Sequence, residues 1–167
     1  MRLLTLFLIL LFGGLLCARV AQAADVTITV NGSVVARPCN VVLNDTAVDL
    51  GNLYKFDLIN PGSTSPWVNV NLSLNACPVG TSKVTASFSG PSDTSGYYTN
   101  QGSASNIAVE LQDTSGKSLK AGTTTTINVD NATSTAAFPL RVRAVSVNGG
   151  PSSGSIKSVI TVTYTYA

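Results

Sequence analysis

Few residues in this 167-residue sequence have the types and spacing that chemistry demands. It contains no histidine. That removes the commonest acid–base group, the Ser-His and Cys-His nucleophile pairs, and the most frequent zinc or copper ligand. Glu110 is the single glutamate, and its place in the alternating run NIAVELQD predicts a solvated, outward-facing side chain. Asp45, Asp49 and Asp57 cluster in sequence without the spacing of an EF-hand loop and read as loop or turn residues. Trp67 and the pair Tyr97-Tyr98 have rings that can stack on a sugar. Trp67, however, opens a strand and is expected at a core edge, while Tyr97-Tyr98 follow a glycine-containing loop. Sequons begin at Asn31, Asn44, Asn71 and Asn131, as chance provides in a chain rich in Asn, Ser and Thr. No catalytic centre, cofactor, metal site or small-molecule substrate is expected, and an enzyme is the disfavoured reading.

The remaining reactive residues are cysteines, and their number depends on processing. Arg2 supplies a positive n-region, LLTLFLILLFGGLL an apolar core, and Ala21-Gln22-Ala23 a small-x-small cleavage site. Residues 1–23 are therefore expected to be a cleaved signal peptide. The apolar run falls short of the roughly 20 residues that span a bilayer, and Leu16 stands where a lipoprotein signal at Cys17 wants a small residue. Cleavage leaves Cys39 and Cys77, an even number in an exported chain, so a disulfide between them is expected. Cleavage also removes Arg2 and Arg19, which carry the whole-chain excess of +2. The balanced remainder offers no basic patch for nucleic acid.

The elements that must position anything here read as strands. Val68, Val70, Leu72 and Leu74 alternate in VNVNLSL, and Val84, Ala86 and Phe88 in KVTASFSG. Ile107, Val109 and Leu111 alternate in NIAVELQD; Ile127 and Val129 mark another run. Phe138, Leu140, Val142 and Ala144 alternate in FPLRVRAV, and the chain closes on SIKSVITVTYTYA. NPGS, SGPSD, DTSGK and NGGPSSG separate the runs with turn residues. Many short strands at this spacing predict one all-β domain, an antiparallel sandwich of Ig-like plan. Pro139 predicts an edge or a bulge within its run.

One run has no obvious partner. In ADVTITVNGSVVARPC, residues Val26, Ile28, Val30 and Val34 fall on one side of a period-two pattern, with Gly32 among them. That pattern describes a half-buried strand rather than a frayed end. Arg37-Pro38 interrupts pairing after it, because Pro38 has no N–H to donate. The strand can therefore go somewhere other than its own sheet.

The two ends together resemble the chaperone–usher pilin family, and within it the small linking subunits of a type 1 fimbrial tip. ADVTITVNG, the Cys39 and Cys77 pair followed by CPVGTS, ASFSG, GYY, VNGG and the final VITVTYTYA carry the resemblance. So do Gly154, fourteenth from the C-terminus, and the penultimate Tyr166. The resemblance implies an incomplete Ig-like β-sandwich, the pilin fold, completed by a donor strand from another subunit. It implies that residues 24–36 are the donor-strand extension and residues 37–167 the pilin domain. Val26, Ile28, Val30 and Val34 would then be buried in a neighbour, with Gly32 where the neighbour's groove leaves no room for a side chain. Ile160, Val162, Tyr164 and Tyr166 would pair with a periplasmic pilus chaperone, with basic chaperone residues on the terminal carboxylate. An outer-membrane usher would catalyse exchange, and the product would be a fimbria on the surface of a Gram-negative bacterium. The implied role is to join a tip adhesin to adjacent pilin subunits. The alternatives are a major or shaft subunit and a receptor-binding adhesin module.

Overall fold

The computed structural model describes residues 27–34, 37–42 and 47–167. Val26, Asp45 and the expected signal peptide lie outside the described residues. The chain divides into two units, Met1–Val34 and Val35–Ala167. In the first, residues 27–34 carry no strand assignment, and Ile28, Val30 and Val34 are all exposed. The alternation there marks an apolar face, but a strand also needs a ladder partner.

The described residues of the second unit form nine strands and one 3-10 turn. The strands are β1 (Asn40–Val42), β2 (Ser63–Thr64), β3 (Val68–Asn75), β4 (Lys83–Ser89) and β5 (Tyr98–Thr99), then β6 (Ala108–Asp113), β7 (Thr124–Asn128), β8 (Ala136–Ser146) and β9 (Thr161–Tyr166). The turn spans Lys55–Leu58. One sheet runs β1-β3-β8-β6-β5, with β2 also paired to β8; the other runs β7-β4-β9. Every named pair is antiparallel. Between the sheets lies a core containing Leu74, Val84, Phe88, Tyr98, Leu119 and Phe138, each at most 1 % exposed. A disulfide joins Cys39 to Cys77, as the cysteine count predicts, and ties the entry of β1 to the exit of β3.

Three local expectations change on contact with the structure. Pro139 lies in β8, which is a central strand, without a bulge being needed to admit it. The β6 ladder ends at Asp113 opposite Leu140, so beyond it β8 is paired only with β3, where Pro139 faces Asn71. A missing N–H is tolerated where one side of the strand is free. Glu110 is buried, not solvated: it is 4 % exposed and accepts a 2.7 Å ion-pair hydrogen bond from Arg143 Nε. Alternation places Glu110 on the outer face correctly, but it does not reveal that this face is covered. The guanidiniums of Arg141 and Arg143 lie 4.5 and 4.1 Å from the Trp67 ring centroid, and Gln112 donates to Glu110 Oε1 at 2.7 Å. Trp67 thus packs on the outer face of the sheet rather than at a core edge.

Candidate functional site

The coverage of the core fails along one line. On β8, the inward residues Phe138, Leu140 and Val142 are buried; on the neighbouring β3, Val68, Val70 and Leu72 are only half-buried. Across the sandwich, Ile160, Val162, Tyr164 and Tyr166 alternate with exposed Val159, Thr161, Thr163 and Thr165, and the four remain half-buried against the core. The Phe138 and Tyr164 rings, 5.8 Å apart, form the floor between the two sheets.

The backbone edges on either side of this strip are open. Among the described residues, β9 pairs with β4 alone, from Ser89 opposite Thr161 to Val84 opposite Tyr166. β1 covers only the far end of β3, from Ser73 to Asn75. Among the described residues, the stretch Val68–Leu72 therefore lacks a partner on that side. A half-covered apolar floor between two unpaired strand edges is the shape of a sandwich lacking one strand, and it can accept an extended segment.

Local polar chemistry fixes the approach to β9. Ser155 O accepts from Ala104 N at 3.1 Å, Lys157 O from Gln101 N at 2.7 Å, and Asn100 Oδ1 from Lys157 N at 2.7 Å. Ser103 and Ser155 exchange side-chain-to-backbone bonds of 2.9 and 3.1 Å. Gly154 lies inside this clasp: a Cβ there would stand 2.5 Å from Ala104 N and 2.7 Å from Ser103 Oγ. Gly102 faces the same limit against the Ser155 backbone, a requirement that no sequence pattern announces. Replacing Gly154 with Val is expected to force the two segments apart. The cost is about 1–3 kcal/mol, typical of overpacking. Chemical denaturation measures it, and faster amide exchange over residues 100–105 and 155–157 locates it.

At the other end of β9, Ala167 N donates to Lys83 O, while Ala167 O accepts from Ser82 N at 2.7 Å and Lys83 N at 3.0 Å. In the isolated chain these amides hold the end of the strand. Burial raises the phenol pKa of Tyr164, helped by the charge of Tyr166, and burial raises that of Tyr166 too. Tyr98 donates to Leu119 O at 2.9 Å, and burial pushes its phenol up to about 12. The neutral phenols are favoured in the fold, whereas an unfolded tyrosine ionises near 10. Stability is therefore expected to hold up to pH 10 and to fall between about 10 and 12. Denaturant midpoints should decline over that window in step with phenolate absorbance at 295 nm.

The structure thus brings Ile160, Val162, Tyr164 and Tyr166 onto one wall of the groove and places Gly154 in the clasp that leads to it. Cys39 and Cys77 lie at the end of β3 remote from Val68. A shallow cavity of about 260 Å³ beside Cys77 is lined by Pro78, Val79, Thr81, Ser82, Asn131 and Ser134 among others, with no ionisable side chain.

Comparison with known proteins agrees with this geometry. The family model described as "Fimbrial protein" matches residues 28–167. The chain is 57% identical over 152 residues to Protein FimG of Escherichia coli strain K12, covering 91% of both chains. It is 51% identical over 149 residues to the S-fimbrial adhesin protein SfaS of Escherichia coli O6:K15:H31 (strain 536 / UPEC), covering 88% of each. Among solved structures, the P pilus rod subunit PapA matches with a TM-score of 0.66 at 18% identity, over 78% of this chain and 100% of that one, a likeness of fold. With an Ig-like all-β sandwich that is one strand short, the chain belongs to the fimbrial protein family and is a structural pilin.

Proposed function

We propose that this pilin is a minor subunit that links a tip adhesin to the rest of a type 1-like fimbria by donor-strand exchange. One observation carries the reading: a half-covered apolar groove with two unpaired edges occurs in a chain whose Ile28, Val30 and Val34 stand exposed in alternation. Each copy has a vacancy for a strand and a strand to give. Residues 24–36 form the donor segment, with Val26, Ile28, Val30 and Val34 entering a neighbour's groove, and residues 37–167 form the acceptor domain. Gly32 supports the division of labour. Among the described residues a Cβ there would meet nothing within 4 Å, which is compatible with a glycine kept for close approach to a neighbour's groove.

The partners follow from the same deficit. An open groove aggregates unless covered, so a periplasmic pilus chaperone supplies a temporary strand against Ile160, Val162, Tyr164 and Tyr166. An outer-membrane usher then exchanges it for a subunit's strand. Residues 1–23 direct export to the periplasm, and the assembled product stands on the cell surface.

The test is mass spectrometry of SDS-resistant complexes from sheared surface fibres. A linker is expected between an adhesin and another minor subunit. Recovery chiefly in complexes with further copies of itself would make it a shaft subunit, and recovery as free monomer would overturn the reading. A second reading, a receptor-binding module, draws on the similar protein named an S-fimbrial adhesin. Two stacking candidates are already occupied, Tyr98 in the core and Trp67 under two guanidiniums. Saturable binding of the strand-filled protein on a glycan array would favour that reading.

A further inference from the structure

The VNGG motif plays no part in the groove, yet it fixes a surface. Gly149 has a φ of +76°, and a Cβ there would lie 2.7 Å from Ile59 O and 2.9 Å from Pro61. Gly150 N donates to Ile59 O at 2.9 Å, and Gly62 N to Ser146 O at 2.7 Å. On the other side, Leu58 is buried with Ala104, Ile107 and Ala144. The 3-10 turn at Lys55–Leu58 is therefore anchored at its C-terminal end, and Leu53, just before it, packs half-buried on the same cluster. Even so, Tyr54 and Phe56 are 73 % and 72 % exposed, and Ile59 is 52 % exposed. Large apolar side chains exposed together beside an anchored turn have the composition of a contact surface.

The position of the turn says what the contact is with. Ile156, on the approach to β9, packs both on the main core and on the Leu58 cluster, as does Leu50. The main core behind the β9-entry end of the groove and the Leu58 cluster under the turn are thus joined through two half-buried side chains, Ile156 and Leu50. We propose that Tyr54, Phe56 and Ile59 seat the globular body of the subunit whose strand fills this groove; the proposal rests on the donor-strand reading above. A strand added antiparallel to β9, the more stable arrangement, leaves the groove at the β9-entry end. If the donor is built like this chain, the run from Val34 to Cys39 extends at most about 18 Å. The donor's body then has to come down beside the turn. Lys55 and Asp57 lie between the apolar residues and supply one charge of each sign at the rim.

Hydroxyl-radical footprinting separates the two ideas, because an isolated donor strand fills the groove but brings no body. The mature chain filled with a synthetic peptide of residues 24–36 is compared with fibres sheared from the cell surface. Tyr164 and Val162 should be protected in both samples, while Tyr54 and Phe56 should label at least fivefold less in the fibres alone. Equal labelling of Tyr54 and Phe56 in both, with the groove protected, would overturn the docking seat and leave strand exchange standing. A groove that labels freely in the fibres would overturn the donor-strand reading and the seat with it. Loss of labelling at the pair in a chaperone complex, but not in fibres, would assign the surface to the chaperone and overturn the proposal.

Discussion

Deleting residues 24–36 is expected to abolish strand donation by this pilin while leaving its own groove able to accept a strand. The segment presents four β-branched apolar side chains, Val26, Ile28, Val30 and Val34. Burying each in a neighbour contributes about 1.5–3 kcal/mol, or roughly 6–12 kcal/mol together before ordering costs. Since about 1.4 kcal/mol is tenfold in an equilibrium constant, even the lower figure removes some four decades of affinity. The sandwich should not notice. Ile28, Val30 and Val34 are 81 %, 87 % and 105 % exposed in the chain alone, so their removal leaves no cavity. The denaturation midpoint of the truncated, strand-filled domain should match that of the full mature chain. Complexes from fibres should contain the truncated chain only as the acceptor of another subunit's strand. A truncated chain found donating to a neighbour at the normal level would refute the assignment. Val30→Asp separates sequence from length: it should lower donation by several decades without shortening the segment, because an unpaired carboxylate would have to be buried.

The architecture was legible wherever local alternation and burial agree. VNVNLSL, KVTASFSG and FPLRVRAV became β3, β4 and the middle of β8, with the expected residues facing the core. The groove wall at Ile160 to Tyr166 was legible for the same reason, since period two assigns those side chains to one face. What alternation cannot encode is what covers that face. It marked Glu110 as outward but missed the roof of Arg141, Arg143 and Trp67, a cross-strand arrangement assembled from residues far apart in sequence. It marked residues 26–34 as a strand, whereas the described residues 27–34 form none, and in the proposed reading the sheet they join belongs to another subunit. The clasp around Gly154 and the anchored turn below Gly149 depend on backbone approaches between loops. There the only trace in the sequence is a glycine whose reason lies elsewhere.

Removing the disulfide is expected to cost this pilin more than its loop length alone predicts. Cys39 and Cys77 are 38 residues apart in sequence, and closing such a loop contributes roughly 4 kcal/mol in the chain-entropy model. The bridge also performs a local task. Among the described residues, β1 has the three pairs Asn40 to Asn75, Val41 to Leu74 and Val42 to Ser73, and its side chains are exposed, so the bridge and that short ladder are what holds these residues to β3. Losing β1 would free the rest of the β3 edge and widen the groove on the side opposite β9. A Cys39→Ala, Cys77→Ala chain leaves no polar group at sites that are 3 % and 5 % exposed, so it isolates the bridge from any buried-hydroxyl penalty. The strand-filled double variant should lose more than the roughly 4 kcal/mol of the loop term in chemical denaturation, with amide exchange accelerated first at residues 40–42 and 73–75. The empty subunit, already lacking one strand, should fail to hold a native fold. If the double variant instead kept its β1 protection and bound a donor peptide as the native chain does, the bridge would be a spectator, and the groove's second wall would owe its order to β3 and β8 alone.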